Sequence, residues 1–96
     1  MGWSDFYPMN QGSINKVPEA GGVYQLNSDS SILYVGQSDN LKRRLEEHLN
    51  SDDSCIKKST KFCYQQSDDP EDLEGKILKD HKNKNGGNLP PCNQQS

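Results

Sequence analysis

The sequence predicts an α+β domain, a small three-stranded antiparallel β-sheet flanked by helices. Three observations lead there. Short runs rich in β-branched and aromatic residues stand at Val23–Asn27, Ile32–Gln37 and Thr60–Gln66. The first two are joined by the polar turn cluster Asn27–Ser31, which makes an antiparallel hairpin the default. Segments with helical apolar spacing follow the second and third runs, so the order reads β–β–α–β–α with a tail.

Taken in order, residues 1–16 read as a polar extension whose aromatics Trp3, Phe6 and Tyr7 tuck one or two rings onto a domain spanning residues 17–96. Pro18 and Gly21–Gly22 punctuate the chain before the first strand. Alternation places Tyr24 and Leu26 on one face of that strand and Val23 and Gln25 on the other. In the second strand, Tyr34 shares a face with Ile32 and Gly36. The first helix lies in "SDNLKRRLEEHLNSDD", capped by Ser38 or Asp39, with Leu41, Leu45 and Leu49 as its buried stripe. Arg44 and His48 flank that stripe, whereas Arg43 and Glu47 point further into solvent. The second helix is capped by Asp68 or Asp69, with Pro70 in its first turn and Glu71 and Asp72 at its positive end. Leu73, Ile77, Leu78 and His81 form its apolar side, and Glu74 falls inside that side. Gly75 weakens the helix by about 1 kcal/mol relative to alanine. A loop "KNKNGGN" and a proline-rich turn "LPPCNQQS" end the chain.

Composition bounds the rest. A chain of 96 residues makes one domain that hides about 60–65% of its unfolded surface, so the core is small. With 29% hydrophobic residues and a mean hydropathy of -1.07, the chain approaches the disordered class. Its apolar residues are nevertheless grouped in patterned segments, which predicts a marginal fold. The net charge of -3 excludes a general basic field, although Lys42, Arg43 and Arg44 cluster, as do Lys57, Lys58 and Lys61. Cys55, Cys63 and Cys92 include no CxxC pair and follow no signal peptide, which predicts reduced thiols in a cytoplasmic or nuclear protein that is not secreted. No apolar run is long enough to span a membrane.

Four features could carry chemistry: the tyrosines Tyr24 and Tyr34 on adjacent strands, the Arg44–His48 pair on one helix face, Glu74, and Asn93 in "LPPCN". Each alone has an ordinary reading, as a cross-strand aromatic pair, solvated charges, an ion-paired carboxylate and a loop asparagine. Arg44 at a half-buried border suits a phosphate, because its planar fork holds two oxygens and stays charged. Ionised Glu74 at a core edge needs a cation, either Arg44 or a divalent metal.

The ordered combination is specific. "GVY" at Gly22–Tyr24, "YVG" at Tyr34–Gly36, "NLKRRLEEH", a helix glutamate and "PPCN" together resemble the GIY-YIG endonuclease family over about residues 17–94. The resemblance implies hydrolysis of a nucleic-acid phosphodiester, usually in DNA, with one divalent ion, Mg2+ or Mn2+. It implies a site of Tyr24, Tyr34, Arg44, His48, Glu74 and Asn93, with Glu74 as the metal ligand. Gly36, Gln37, Lys42 and Arg43 would line the nucleic acid. Within it, Tyr24 is expected to be the general base, its pKa lowered by nearby positive charge, with His48 as relay or substitute and Tyr34 orienting the phosphate or water. Arg44 is expected to hold the phosphate. Gln37 stands where some relatives have lysine, and the stretch from Glu74 to Asn93 is longer than in some. The resemblance further implies a DNA substrate, in repair or recombination among other settings, chosen by an attached or separate DNA-binding domain or by oligomerisation. The competing reading is a module of the same fold that binds nucleic acid, or docks a partner, without cutting.

Overall fold

The structure, a computed structural model, describes residues 2–29 and 31–94. Met1 of the expected extension, Ser30 of the expected turn and Gln95–Ser96 of the expected tail lie outside the described residues.

The order is β1 (Tyr7–Pro8), α1 (Gln11–Ile14), β2 (Gly22–Asn27), β3 (Ile32–Ser38), α2 (Leu41–Leu49), β4 (Lys61–Gln66) and α3 (Pro70–Lys84). Short 3₁₀ turns stand at Ile56–Lys58 and Pro91–Gln94. The strands form one antiparallel sheet in the order β1-β4-β2-β3. The sheet therefore has four strands, not three. The added strand comes from the N-terminal segment, where Tyr7 pairs with Phe62 and Pro8 with Lys61. A proline lacks the ladder donor, so it is tolerated here at the sheet's edge. The Tyr7 ring lies 5.9 Å from Phe62 and 6.4 Å from Tyr64. A strand of two residues is too short to show alternation in the sequence.

The two faces of the sheet differ. Tyr24, Leu26 and Phe62 look toward α1 and α2 and join Ile14, Val17, Leu41, Leu45 and Ile56 in the core. Val23, Val35 and Cys63 lie on the opposite face, where α3 packs across β3 and β2. The leucine stripe reads through: Leu41 and Leu45 are fully buried and Leu49 packs against them. The helix begins one residue later than expected, with Asn40 as the cap, its side chain accepting from Arg43 N. Asp69 caps α3 as expected and accepts from Asp72 N. No residue of α3 is fully buried.

The hairpin carries a bulge. Leu26 pairs with Tyr34 but Asn27 pairs with Ile32, which leaves Leu33 as an extra residue. The extra residue resets the alternation. Leu33, not Ile32, therefore shares the Tyr34 face and enters the core, while Ile32 turns toward α3.

The cysteine expectation is overturned for two of the three. Cys55 and Cys92 form a disulfide, with Cα atoms 5.8 Å apart and a sequence separation of 37. The fold brings both into the same corner of the core, although nothing local in the sequence signals it. Cys63 remains a thiol, its pKa pushed up to about 12 by burial, which makes it inert. No helix among the described residues is long and apolar enough to cross a membrane.

Closing a loop of this length stabilises by about 3–4 kcal/mol in the chain-entropy account. Reduction, or Cys92→Ser, is expected to lower Tm by roughly 12–32 °C in scanning calorimetry. An unchanged Tm on adding reductant would mean that the bridge does not form in solution.

Candidate active site

Two glycines let the site form. Tyr24 pairs with Gly36 across the hairpin. A Cβ on Gly36 would collide with the Tyr24 hydroxyl and lie 2.8 Å from the Tyr34 ring. A Cβ on Gly22 would collide with the Gln65 carbonyl and lie 2.9 Å from Leu41 Cδ1. The tripeptides "GVY" and "YVG" thus need their glycines for close approach, which only the missing side chain permits.

The start of α2 is held to the segment before β2 by Leu41 N donating to Ala20 O at 2.9 Å. This places Arg44 and His48, one turn apart, over the tyrosine face. The Tyr24 hydroxyl lies 2.7 Å from His48 Nε2 in a buried hydrogen bond. The three rings form a triangle, with centroids 6.0 Å apart for Tyr24–Tyr34, 5.3 Å for Tyr24–His48 and 5.4 Å for Tyr34–His48. Beside them opens a pocket of about 380 Å³ lined by Tyr34, Arg44, Glu47, His48, Asp53 and Cys92, among others. Tyr24 does not line it. At 1% exposure it sits behind the other two rings.

Burial sets the protonation of this cluster. His48 is pushed down to about 4 by burial and by the Arg44 guanidinium, so it is neutral at pH 7. The Tyr24 phenol is held well above its ordinary range by burial and by Tyr34, against an opposing pull from Arg44. The expected lowering of its pKa is therefore overturned: one guanidinium at the pocket does not offset the loss of water around a phenol at the core. Arg44 is charged and hydrogen-bonded to Glu47, with Nη1 2.8 Å from Oε1. That bond raises the guanidinium's pKa further and lowers the Glu47 carboxyl's.

The remaining expected site residues are spread around this centre. Asn93 braces the free edge of β3, its Oδ1 accepting from Val35 N at 2.8 Å and its Nδ2 donating to Val35 O at 2.9 Å. It thus replaces a missing strand neighbour beside Tyr34. Gly36 is buried and Gln37 is exposed on β3. Arg43 is exposed and paired with Asp39 at 2.8 Å, and Lys42 is half-buried on α2.

Glu74 is half-buried on α3, which packs on the sheet face opposite the aromatic triangle. Among the described residues no hydrogen bond or ion pair reaches its carboxyl, whose pKa is raised by burial and by Glu71. Arg44 is not its cation, because Glu47 stands three residues away on the same helix and takes that role. Sequence reasoning set Glu47 aside as solvated and passed over Asp53, yet both line the pocket. The i,i+3 spacing of Arg44 and Glu47 was the available signal.

Among the described residues no group of three or more His, Cys, Asp and Glu side chains could hold a metal ion. A lone carboxylate does not suit zinc. It suits magnesium, which keeps several of its waters and takes one or two carboxylates. Glu74 fits that donor set, since its carboxylate is half-buried and no cation among the described residues pairs with it.

The family profile described as the GIY-YIG catalytic domain matches residues 20–88. The chain belongs to the GIY-YIG family. Two curated relatives, the UvrABC system protein C of Bacteroides fragilis strains ATCC 25285 and YCH46, are each 40% identical over 43 residues. Those residues are 44% of this chain and only 7% of either relative. The GIY-YIG N-terminal endonuclease domain of UvrC from Thermotoga maritima, solved bound to its catalytic magnesium, has a similar fold, with a TM-score of 0.65. The match is 20% identical and covers 75% of this chain and 89% of that one. A point mutant of the same domain matches with a TM-score of 0.62 over 75% of this chain and 88% of that one, also at 20% identity.

Because His48 is neutral in the fold and protonates near 6.5 when unfolded, the unfolded state binds the extra proton between those values. The contribution from His48 is thus complete above pH 6.5 and lost as pH falls toward about 4. Across this window Tm of the parent protein is expected to fall more than that of His48→Gln, measured by circular dichroism. Parallel curves would contradict the neutral, buried imidazole.

Proposed function

We propose that this chain is a GIY-YIG-type endonuclease that hydrolyses a DNA phosphodiester. The observation that carries the reading is the convergence of a phenol, a guanidinium and an imidazole on one pocket, with a second phenol bonded behind them. In this reading Arg44 leaves Glu47 and takes a phosphate oxygen, and its charge stabilises the charge that gathers there in the transition state. An exposed pair of this kind is worth little, so the exchange is cheap.

In this reading Tyr34, which lines the pocket, acts as its phenolate and takes the proton from the attacking water, ending as the neutral phenol. Tyr24 then has a different part from the expected one: it holds the neutral His48 ring, and with it the pocket wall, in place. A divalent ion held by Glu74, Mg2+ or Mn2+, would supply Lewis-acid polarisation of the phosphate and of the leaving oxygen. Asn93 keeps Tyr34 in position through the neighbouring Val35 backbone. Gln37, Lys42 and Arg43 are the residues that would contact the DNA backbone in this reading. With a net charge of -3, the domain depends on an attached or separate DNA-binding element for affinity and for the form of DNA it cuts, damaged DNA as in the repair system of its relatives being the first candidate. The packing of α3, which carries Glu74, on the sheet face opposite the pocket favours one competing reading, a non-cleaving nucleic-acid-binding or partner-docking module.

Nicking of flap, junction, damaged and plain duplexes, with and without Mg2+ or Mn2+, separates these. Metal-dependent nicking is expected, with Arg44→Ala and Glu74→Ala each slower by about 10²–10³-fold and Arg43→Ala within a few-fold. Glu74→Ala is expected to keep or raise Tm, since it removes a carboxyl that burial disfavours. Absence of nicking by the parent protein, together with retained DNA binding, would establish the module instead. Equal losses for Arg43→Ala and Arg44→Ala would contradict the pocket assignment. Tyr34→Phe is expected to slow nicking by about 10²–10⁴-fold, whereas Tyr24→Phe, which leaves the proton acceptor in place, should cost far less.

A further inference from the structure

A second concavity lies on the other side of the sheet. It has a volume of about 710 Å³ and runs between α3 and the β2–β3 face, with Trp3, Gln25, Val35, Ile77, His81 and Lys84 among its walls. That volume is in the range of sites that hold small organic ligands. β3 divides it from the catalytic pocket, because Val35 turns its side chain into the groove while Tyr34 and Gly36 face the aromatic triangle.

The floor of the groove is unusual. Gln25 sits on the central strand, 7% exposed, between Val35 and Cys63. Among the described residues its amide makes no hydrogen bond, and it lines the groove. A primary amide so placed offers one donor edge and one acceptor edge side by side, both open to the groove. One wall is an indole. Trp3 is delivered there by its neighbour Ser4, whose N donates to Tyr64 O at 2.8 Å and whose Oγ accepts from Tyr64 N at 3.0 Å. Ile77 and Val35 make the surroundings apolar, while His81 and Lys84 stand at the α3 side. Lys84 is shared with Asp80 at 3.1 Å in an exposed pair, which yields easily to a stronger anion.

An aromatic wall, an amide on the groove floor with both hydrogen-bonding edges open, and a cation nearby match one chemistry. The heterocycle stacks on the indole, its donor–acceptor edge pairs with the amide, and its phosphate meets the ammonium. We propose that this groove binds an unpaired nucleobase of the nucleic acid, at a site distinct from the catalytic pocket. A flap, bulge or damaged site supplies such a base, and a paired duplex does not, since flipping costs unstacking energy. The choice of nucleic acid as ligand rests on the nuclease reading, but the binding itself does not require cleavage.

Trp3 is the only tryptophan, so its fluorescence reports on this groove alone. The full chain is titrated with deoxyadenosine and thymidine monophosphates, and with 2-deoxyribose 5-phosphate as the base-free control. Saturable quenching by the nucleotides is expected, at least tenfold weaker for the sugar phosphate and at least tenfold weaker in Gln25→Leu. It should be unchanged in Arg44→Ala. Should Gln25→Leu fail to fold, calorimetric titration of Trp3→Ala replaces it, with the same tenfold loss expected. Equal binding of sugar phosphate, loss of binding in Arg44→Ala, or no saturable signal at millimolar nucleotide would each overturn the proposal. A protein that binds nucleotides this way yet nicks nothing loses only the nuclease reading.

Discussion

The Tyr24 hydroxyl and His48 Nε2 meet at 2.7 Å in a region that excludes nearly all water, and the arrangement of the other site residues follows from that meeting. Both groups would be costly to bury alone, so each needs the other. The bond fixes the rotation of α2 about its axis, which sends Arg44, one turn earlier, to the pocket rim. It also fixes where the Tyr24 ring crosses β3, and that crossing leaves no room for a side chain at Gly36. Tyr34 is left as the phenol that lines the pocket. The same burial keeps His48 neutral and Tyr24 protonated, so the pair acts as a polar hinge pin more readily than as an acid or a base.

A second constraint is that β3 is the free edge of the sheet and borders both concavities. Free edges recruit partners unless they are covered. Here the cover is a single side chain, Asn93, whose amide copies both halves of a peptide group against Val35. The tail that brings Asn93 is held by the adjacent Cys92, bonded to Cys55. The disulfide and the asparagine together therefore hold the strand that carries Tyr34, and Cys92 also forms part of the pocket wall. A core this small has few other means of fixing a C-terminal segment with no strand or long helix of its own.

Much of this was legible in the sequence, for reasons tied to particular residues. The hairpin, β4 and both long helices showed in period and caps, because six or more residues in each repeat the pattern. The leucine stripe of α2 located the face that covers the sheet. Three features left no such trace. Tyr7–Pro8 is too short to alternate, so the fourth strand was invisible. The bulge at Leu33 swaps the faces of Leu33 and Ile32, and a single unpaired residue has no sequence mark. The disulfide joins residues that only the fold brings together. Within the site, alternation put both tyrosines on one face and helix geometry put Arg44 and His48 above them. It did not say which phenol lies on top; the bare Cα of Gly36 decides that by letting Tyr24 lie beneath. Glu47 read as a solvated charge because helix geometry alone does not show which charged neighbour Arg44 turns toward.

The buried contact between Tyr24 and His48 is tested most directly by following the His48 ring signals by NMR as pH is lowered. The structure predicts a ring that stays neutral through the physiological range and titrates only near pH 4, because it is buried beside Tyr24 and close to the Arg44 guanidinium. A His48 that titrates near 6.5 would contradict the account.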